Sequence, residues 1–247
     1  MNSQNITDKH NGKRTAVLLV GQLRTWDECK ENFINTFGDS VDIFICVSNI
    51  KYNYAPWIKD NFTGHDDCDL TESDIMNSFD GLNLKKLIIQ DIKEEAAYIT
   101  DEQSKFKMDV NSGFDSFGTY GNIFKTKKVL SALEDYENEN GFKYDVIIKT
   151  RFDIVYHEID FSLNDTSILI NSGNVFPDDC FLMTNRKSMF DLIHFMHDEF
   201  YEPKYNNSHV SPPHGLLFNA IQNNNLSIEP KRLINYVIRK NYGPQYY

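Results

Sequence analysis

The sequence lacks the long apolar runs and the cysteine patterns that mark membrane proteins and disulfide-rich proteins. No run approaches the roughly 20 apolar residues that a membrane-spanning helix needs, and residues 1–14 contain no hydrophobic stretch typical of a signal peptide. The 4 cysteines are widely separated and form no Cys-x-x-Cys pair, which favours reduced thiols over disulfides or a zinc site. We therefore expect a cytoplasmic protein without a transmembrane segment, whose residues 1–14 are a disordered lead-in.

Positive charge is also scarce. The chain has 25 Lys and Arg residues against 36 Asp and Glu residues, which gives a formal net charge of −11. Nucleic-acid binding requires a basic surface, so this balance excludes a general nucleic-acid partner. An anionic ligand would have to bind through a local cluster of cations or through a metal ion.

What is present is the composition of a globular protein. The chain has 247 residues, of which 40% are hydrophobic and 25% are charged, and we expect one domain over residues 15–247. Short apolar runs rich in β-branched residues alternate with segments of helical periodicity. This alternation predicts an α/β fold, with a mostly parallel central sheet flanked by helices on both faces. The runs that predict the strands are 15–20, 41–47, 84–90, 146–148 and 168–170.

The strand predicted at Val146 to Ile148 is followed directly by charged residues. Arg151 and Asp153 come just after its carboxyl end. In open α/β sheets, ligands bind beyond the carboxyl ends of the strands. The segment therefore fits two interpretations, a binding site at the end of this strand or an ordinary core strand with a solvated charged tail.

A glycine ends the first apolar run. Gly21, Gln22 and Arg24 lie between this strand and a helix that begins at Thr25 or Asp27. A strand, a glycine turn and a helix N-terminus can present backbone N–H groups to a phosphate, and an arginine adds a planar charged fork. Neither Gly-x-Gly-x-x-Gly nor Gly-Lys-Ser/Thr is present. The turn is therefore either a phosphate-binding loop or a tight turn with a surface arginine.

Residues 91–120 are the least regular part of the chain and are typical of an active-site lid. A periodic helix follows, from about Asn122 to Gly141, with Lys125 in its first turns. Cations at that position oppose the helix macrodipole, which indicates contact with an anion and makes Lys125 a candidate for binding phosphate. From Ile228 to the C-terminus the chain alternates signals of short strands and of a basic helix.

Four segments, taken in order, carry a resemblance to a known family. The chain resembles nucleotide-sugar glycosyltransferases of the GT-A type, which implies a Rossmann-like nucleotide-binding core. More closely, it is similar to the branch with a Gly-Gln-Leu-Arg-Thr-Phe/Trp start and a Tyr-Asp-x-x-x-Lys/Arg-x-Arg-x-Asp centre, found in bacterial surface-polysaccharide loci and large DNA viruses. The matching segments are Gly21 to Trp26, Tyr144 to Asp153, Pro177 to Met183 and Ser211 to Leu217.

The resemblance implies a metal site at the central strand. GT-A enzymes end this strand in Asp-x-Asp, whose carboxylates hold Mn²⁺ or Mg²⁺ against the donor diphosphate, because a hard cation suits carboxylate and phosphate oxygens. Here Arg151 stands in place of the first Asp, and Asp153 remains. Either Asp153 ligates the metal with a second ligand such as His214, or Arg151 takes over part of the metal's role by binding phosphate oxygens.

The resemblance also implies catalytic and donor-binding residues. An inverting transferase needs a general base for the acceptor hydroxyl, and Asp179, with Asp178 beside it, is the candidate. A retaining enzyme needs no such base, and the two aspartates also fit a turn with an Asx-type hydrogen bond. The residues expected to bind the nucleotide and its diphosphate are Gly21, Gln22, Arg24, Lys125 and Arg151.

The partners follow from the same resemblance. We expect a nucleotide-sugar donor, with a UDP-sugar favoured, and a glycan or lipid-linked acceptor that is met at the cytosolic face of a membrane during polysaccharide biosynthesis. Two other functions stay open. One is a nucleotidyltransferase. The other is a degenerate module that binds sugar nucleotide or glycan without turnover, which the loss of the first Asp would favour.

Overall fold

The computed structural model describes residues 12–23, 25–38, 41–51, 68–91, 93–95, 97–98, 116–157, 159, 163–164, 166–171, 180–201, 212–231, 234–239 and 243–246. Strands and helices are numbered here in chain order. They are β1 Thr15–Gly21, α1 Trp26–Phe37, β2 Asp42–Ser48, β3 Ile50–Lys51, β4 Cys68–Asp69, α2 Glu72–Ser78, β5 Leu84–Gln90, α3 Ser116–Asn140, β6 Val146–Thr150, β7 Ile154–Tyr156, β8 Ser167–Asn171, β9 Leu182–Asn185, α4 Arg186–Tyr201, α5 Pro212–Asn223, β10 Ser227–Lys231, β11 Ile234–Arg239 and β12 Gly243–Tyr246.

A seven-stranded sheet organises the chain, with its strands in the order β5, β2, β1, β6, β9, β8, β10. β1 pairs in parallel with β2 and β6, β2 with β5, and β8 with β10. β9 runs antiparallel to both of its neighbours, β6 and β8. The predicted α/β fold with a mostly parallel sheet is confirmed. The reversed direction of β9 is a feature that the sequence pattern does not predict.

Each face of the sheet is covered by its own helices, because successive strand residues point to opposite faces. On one face, Val17 lies in a hydrophobic core with Trp26 of α1. On the other face, Leu18 lies in a second core with Leu130 of α3 and Leu192 of α4. The predicted flanking by helices on both faces is therefore confirmed.

The helix starts follow local sequence signals. α1 has Thr25 at its N-cap position, without a side-chain cap, and the acidic residues Asp27 and Glu28 lie in its first turn, where the macrodipole favours them. α2 begins with a capping box, in which Thr71 and Asp74 exchange side-chain to backbone hydrogen bonds of 3.1 Å. Among the described residues, no helix is long and apolar enough to cross a membrane.

Helix α3 begins earlier than the sequence pattern predicts. It starts at Ser116, so the last residues of the predicted loop 91–120 form its first turns. Two glycines, Gly118 and Gly121, have low helix propensity and hide this start from the pattern. Lys125 consequently lies in the third turn, whereas the macrodipole acts on the first, so its predicted opposition to the dipole is wrong. Residues 92, 96 and 99–115 of the predicted lid lie outside the described residues.

A three-stranded sheet takes the place of the basic helix predicted near the C-terminus. β7 pairs antiparallel with β11, and β11 pairs antiparallel with β12. The basic-helix prediction is wrong because β11, with the sequence Ile-Asn-Tyr-Val-Ile-Arg, is rich in β-branched and aromatic residues, which favour strands. This second sheet supports β7, which follows β6 after a turn of three residues, Arg151 to Asp153.

At the amino edge of the large sheet, Glu137 of α3 is held by several donors. Arg186, the first residue of α4, donates from Nε at 2.9 Å and from Nη2 at 2.7 Å. The backbone N–H of Tyr144 donates at 2.9 Å, and the amino group of Lys143 lies 3.3 Å away. Burial opposes the charged form of Glu137, but these donors outweigh burial and hold its pKa below the usual range. Glu137 therefore joins α3, α4 and the segment that leads into β6.

Candidate functional site

The carboxyl ends of β1 and β6 lie side by side in the middle of the sheet. From β1 the chain continues to β2 on one side, and from β6 it continues to strands on the other side. The strand order therefore reverses between β1 and β6. Such a reversal opens a crevice beyond the strand ends, and α/β proteins bind ligands in that crevice. Gly21 and Thr150, the last residues of the two strands, border it.

Gly21 ends β1 in a backbone conformation that favours glycine. Its φ of 135° lies in a region that residues with a side chain rarely adopt. A Cβ at this position would lie 3.8 Å from Cδ2 of Phe152, in the turn after β6. Gln22, the next residue predicted to contact phosphate, is partly buried. Arg24 lies outside the described residues, and its predicted role stays a prediction.

Arg151 and Asp153, which were assigned to phosphate and metal by sequence, bind each other. Nε of Arg151 donates to Oδ1 of Asp153 at 3.0 Å, and Nη2 donates to Oδ2 at 2.6 Å. Such a two-pronged pair is stronger and more directional than a single contact. Phe152, between them, is buried and packs edge-on against Trp26 with ring centroids 5.7 Å apart. This aromatic contact anchors the turn that carries the pair.

The third nitrogen of the guanidinium contacts a cysteine on the neighbouring strand segment. Cys180 lies just before β9, and it faces the end of β6 because Lys149 pairs with Leu182 in the register of these strands. Its sulfur accepts a hydrogen bond from Nη1 of Arg151 at 3.3 Å. A thiol sulfur is a weak acceptor. The guanidinium is thus held by a carboxylate along one edge and by a much weaker acceptor at Nη1.

Two cysteines near the carboxyl ends of the strands are not nucleophiles. Burial raises the pKa of the Cys29 thiol to about 12, and the negative charge of Asp153 acts in the same direction. Burial also raises the pKa of the Cys46 thiol to about 12. Since the thiolate is the reactive form, both thiols are inert at neutral pH.

Tyr156 of β7 connects the two walls of the crevice. Its hydroxyl lies 2.6 Å from Oγ1 of Thr150 and 3.5 Å from the carbonyl oxygen of Arg151. Asn32 of α1 accepts from the Tyr156 backbone N–H at 2.7 Å and donates to its carbonyl at 3.2 Å. Burial raises the pKa of Tyr156, so its hydroxyl stays neutral. Helix α1, which follows β1, is thereby fixed to the strand that follows β6.

Lys125 forms a buried ion pair with Glu95. Gly121, one turn earlier in α3, makes room for that carboxylate, because a Cβ at Gly121 would overlap Oε1 of Glu95. Nearby, Lys128 donates to Oε1 of Gln90 at 2.5 Å, at the carboxyl end of β5. The charge of Lys125 is therefore offset by Glu95 in this structure. Its predicted contact with phosphate stays a prediction.

The described residues do not fit a divalent metal site. They contain no group of three or more His, Cys, Asp and Glu side chains that could hold a metal ion. A cation at Asp153 would lie beside the guanidinium of Arg151, whose charge opposes it. Asp178 and Asp179 lie outside the described residues, and His214 is described only as backbone in the first turn of α5. The metal and catalytic roles predicted for these residues stay predictions.

Several residues around the crevice have little or no signal in the sequence. The apolar run Ile154-Val155-Tyr156 after the charged turn indicates a second strand, which is the one available sign of Tyr156. Asn32 and Glu95 are single polar residues whose partners lie 124 and 30 positions away. Cys180 meets Arg151 only because β9 is antiparallel. Contacts of this range follow from the topology alone.

Comparison with known proteins gives distant structural likenesses only. No protein-family model and no curated protein matches the chain. The apo form of the glycosyltransferase GlyE of Streptococcus pneumoniae TIGR4 aligns with a TM-score of 0.45 and 12% identity, over 88% of this chain and 45% of GlyE. A second GlyE structure gives a TM-score of 0.43 and 10% identity, over 89% and 45% of the two chains.

Apo mouse xyloside xylosyltransferase 1 gives a TM-score of 0.42 and 8% identity, over 89% of this chain and 84% of that one. The chain therefore spans less than half the length of GlyE, at 45% coverage. These likenesses are too distant to assign an activity, so the function is inferred from the geometry of the chain itself.

Proposed function

We propose that the chain is a GT-A-type glycosyltransferase, which moves a sugar from a nucleotide-sugar donor to a hydroxyl group of a glycan or lipid-linked acceptor. A UDP-sugar is the favoured donor, and polysaccharide biosynthesis at the cytosolic face of a membrane is the favoured setting. The observation that carries the proposal is the meeting of two sequence motifs. The segments Gly21 to Trp26 and Tyr144 to Asp153 are far apart in the chain, yet both lead into the crevice between β1 and β6.

Three features of the crevice support a nucleotide diphosphate as its ligand. Gly21 permits close approach of a ligand to the backbone at the end of β1. The guanidinium of Arg151 supplies a planar, permanently charged donor at the end of β6, in a chain whose net charge is −11. Phe152 and Tyr156 anchor this end of the crevice by a ring contact and a hydrogen bond, and donors that are held in place lose little freedom when a ligand binds.

The proposed reaction is a single group transfer. The acceptor oxygen forms a bond to the anomeric carbon, the bond from that carbon to the phosphate oxygen breaks, and the nucleoside diphosphate leaves with the electron pair. In an inverting reaction the acceptor proton passes to a general base, for which Asp179, with Asp178 beside it, is the proposed residue. Arg151 stabilises the charge that develops on the leaving diphosphate.

A panel of sugar nucleotides tests the proposal. The protein is incubated with UDP-, GDP- and dTDP-sugars, with and without Mn²⁺, and release of nucleoside diphosphate is followed over time. Release from one class of donor, lost in Arg151→Lys and retained in Arg186→Lys, would support a glycosyltransferase. Tight binding without release would indicate the degenerate module. Release of pyrophosphate from a nucleoside triphosphate and a sugar phosphate would indicate a nucleotidyltransferase.

A further inference from the structure

Two lysines near the carboxyl edge of the sheet already have partners. Among the described residues there, Lys125 is buried against Glu95 and Lys128 donates to Gln90. The side chain of Arg151 is 18% exposed, whereas the side chain of Lys125 is 5% exposed. Among the described residues there, Arg151 combines a position in the turn after β6 with access to solvent.

Asp153 binds the guanidinium of Arg151 and orients it. Both of its oxygens accept from Arg151, and its side chain is only 3% exposed. A divalent ion that bound these oxygens would have to approach within a few ångströms of the guanidinium charge, in a partly buried site where the repulsion is weakly screened. A metal ion at these two oxygens would therefore have to displace the guanidinium.

Nη1 of the guanidinium makes a contact that a phosphate oxygen could replace. Nη1 donates to the sulfur of Cys180 at 3.3 Å, and a thiol is a much weaker acceptor than a phosphate oxygen. Exchange of this contact for a phosphate oxygen would leave the two bonds from Nε and Nη2 to Asp153 in place. The guanidinium would thus bind a ligand through Nη1 while Asp153 continues to orient it.

We infer that Arg151, oriented by Asp153, binds the donor diphosphate directly and takes the place of a divalent metal ion. This inference rests on the proposed function, because it names the group that holds the donor at the proposed site. Arg151 is then a catalytic residue, since it touches the leaving group. Asp153 is a positioning residue, which acts through the guanidinium.

Calorimetric titration of the full chain with UDP, GDP and dTDP tests the inference without any turnover. Each nucleotide is titrated in EDTA and again in excess Mn²⁺. We expect at least one of them to bind in EDTA, with an affinity that Mn²⁺ changes less than tenfold. Arg151→Lys keeps the charge but loses the fork, and we expect it to weaken binding roughly ten- to a hundredfold. Asp153→Asn should weaken binding less and leave it independent of metal.

Arg186→Lys is the matched control, because it alters a partly buried arginine–carboxylate pair at the opposite edge of the same sheet. It should lower stability while binding nucleotide like the unaltered protein. Thermal unfolding of every variant establishes that it is folded at the temperature of the titration. Mn²⁺ binding to the nucleotide-free protein, followed by the loss of its free EPR signal, should be the same in Asp153→Asn as in the unaltered chain.

The possible outcomes separate the inference from the function on which it rests. Binding that disappears in EDTA and returns with Mn²⁺ would overturn the inference and leave the proposed function standing. Binding in EDTA that Arg151→Lys does not weaken would also overturn it, because another group would then hold the diphosphate. If no nucleoside diphosphate binds under either condition, the proposed function fails and the inference fails with it.

Discussion

A buried carboxylate accepts a guanidinium fork at each edge of the seven-stranded sheet, and the two pairs are built differently. At the amino edge, Glu137 and Arg186 belong to different helices, and Tyr144 adds a backbone donor from the segment before β6. At the carboxyl edge, Arg151 and Asp153 belong to one turn and are two residues apart. The first pair ties distant parts of the chain together. The second joins two residues of one turn, and Arg151 also contacts Cys180 just before β9.

This difference separates a structural role from a ligand-binding role. Removal of one partner from a pair that joins two helices leaves an uncompensated charge at their contact, which is strongly destabilising. A pair within one turn orders a few residues and contributes little to the rest of the fold. Its position at the reversal of strand order, next to Gly21, gives it a different use. Under the proposed function, the carboxyl edge is where this oriented charge would meet a ligand.

The largest expected effect is on the free energy of unfolding when one of the two carboxylates is removed. Glu137→Ala leaves Arg186 and the Tyr144 N–H without their buried acceptor and should cost about 3–5 kcal/mol of unfolding free energy. Asp153→Ala should cost less, about 1–3 kcal/mol, because its pair with Arg151 lies within one turn and joins no two helices. Urea unfolding followed by circular dichroism measures both. An Asp153→Ala variant as unstable as Glu137→Ala would show that the carboxyl-edge pair also holds the fold together.

The next effect concerns the glycine at the end of β1. Gly21→Ala places a side chain at φ 135°, beside Phe152, and we expect a loss of roughly 1–3 kcal/mol of stability. Because the same strain displaces the end of β1, nucleotide affinity should fall as well. Urea unfolding and calorimetry on one preparation separate the two effects. Unchanged affinity in a destabilised Gly21→Ala protein would remove this glycine from the proposed site.

A smaller effect compares two tyrosines, one at each edge. Tyr144→Phe removes a hydroxyl that donates to Asp42 at 2.6 Å, and Tyr156→Phe removes one that lies 2.6 Å from Thr150. Each loss should cost about 1 kcal/mol of unfolding free energy. Only Tyr156→Phe should also weaken nucleotide binding, since its hydroxyl supports the strand end that carries Arg151. Equal effects of the two changes on affinity would contradict the assignment of the site to one edge.

The smallest effect is a pH dependence that belongs to the amino edge. The pKa of Glu137 is lowered in the folded protein, so the unfolded chain binds more protons in acid. The free energy of unfolding therefore decreases as the pH decreases. The contribution is fully present above the unfolded value of about 4.3 and is lost as the pH falls towards the lowered pKa. Glu137→Gln should flatten this acid limb in urea unfolding from pH 3 to pH 7. If stability falls as steeply in acid for Glu137→Gln as for the unaltered protein, other carboxylates cause the acid sensitivity.

Much of the fold follows from local patterns in the sequence. The apolar runs that end at Gly21 and Ile148 predict strands because a strand buried on both faces needs a continuous apolar segment. The sequence does not predict the direction of β9, because a short apolar run has the same pattern in a parallel and in an antiparallel strand. The start of α3 is missed because Gly118 and Gly121 lower local helix propensity, while packing on the sheet maintains the helix.

The sequence predicts where Arg151 and Asp153 lie in the fold, but it does not predict that they bind each other. Arg151 and Asp153 follow a buried strand, so their position at the carboxyl edge can be inferred from sequence. That they bind each other depends on side-chain geometry, which spacing alone does not determine. A pattern within one helix cannot show the Glu95 carboxylate that approaches Lys125 from another segment, and the phosphate contact of Lys125 stays a prediction.

The most direct test of the central claim is where a nucleotide perturbs the protein. Amide resonances of the isotope-labelled chain are followed while UDP, GDP or dTDP is added in EDTA. The account predicts progressive shifts at Gly21, Gln22 and Arg151, with Glu137 and Arg186 unmoved. Shifts that are confined to the amino edge, or an absence of shifts at the ends of β1 and β6 at saturating nucleotide, would contradict it.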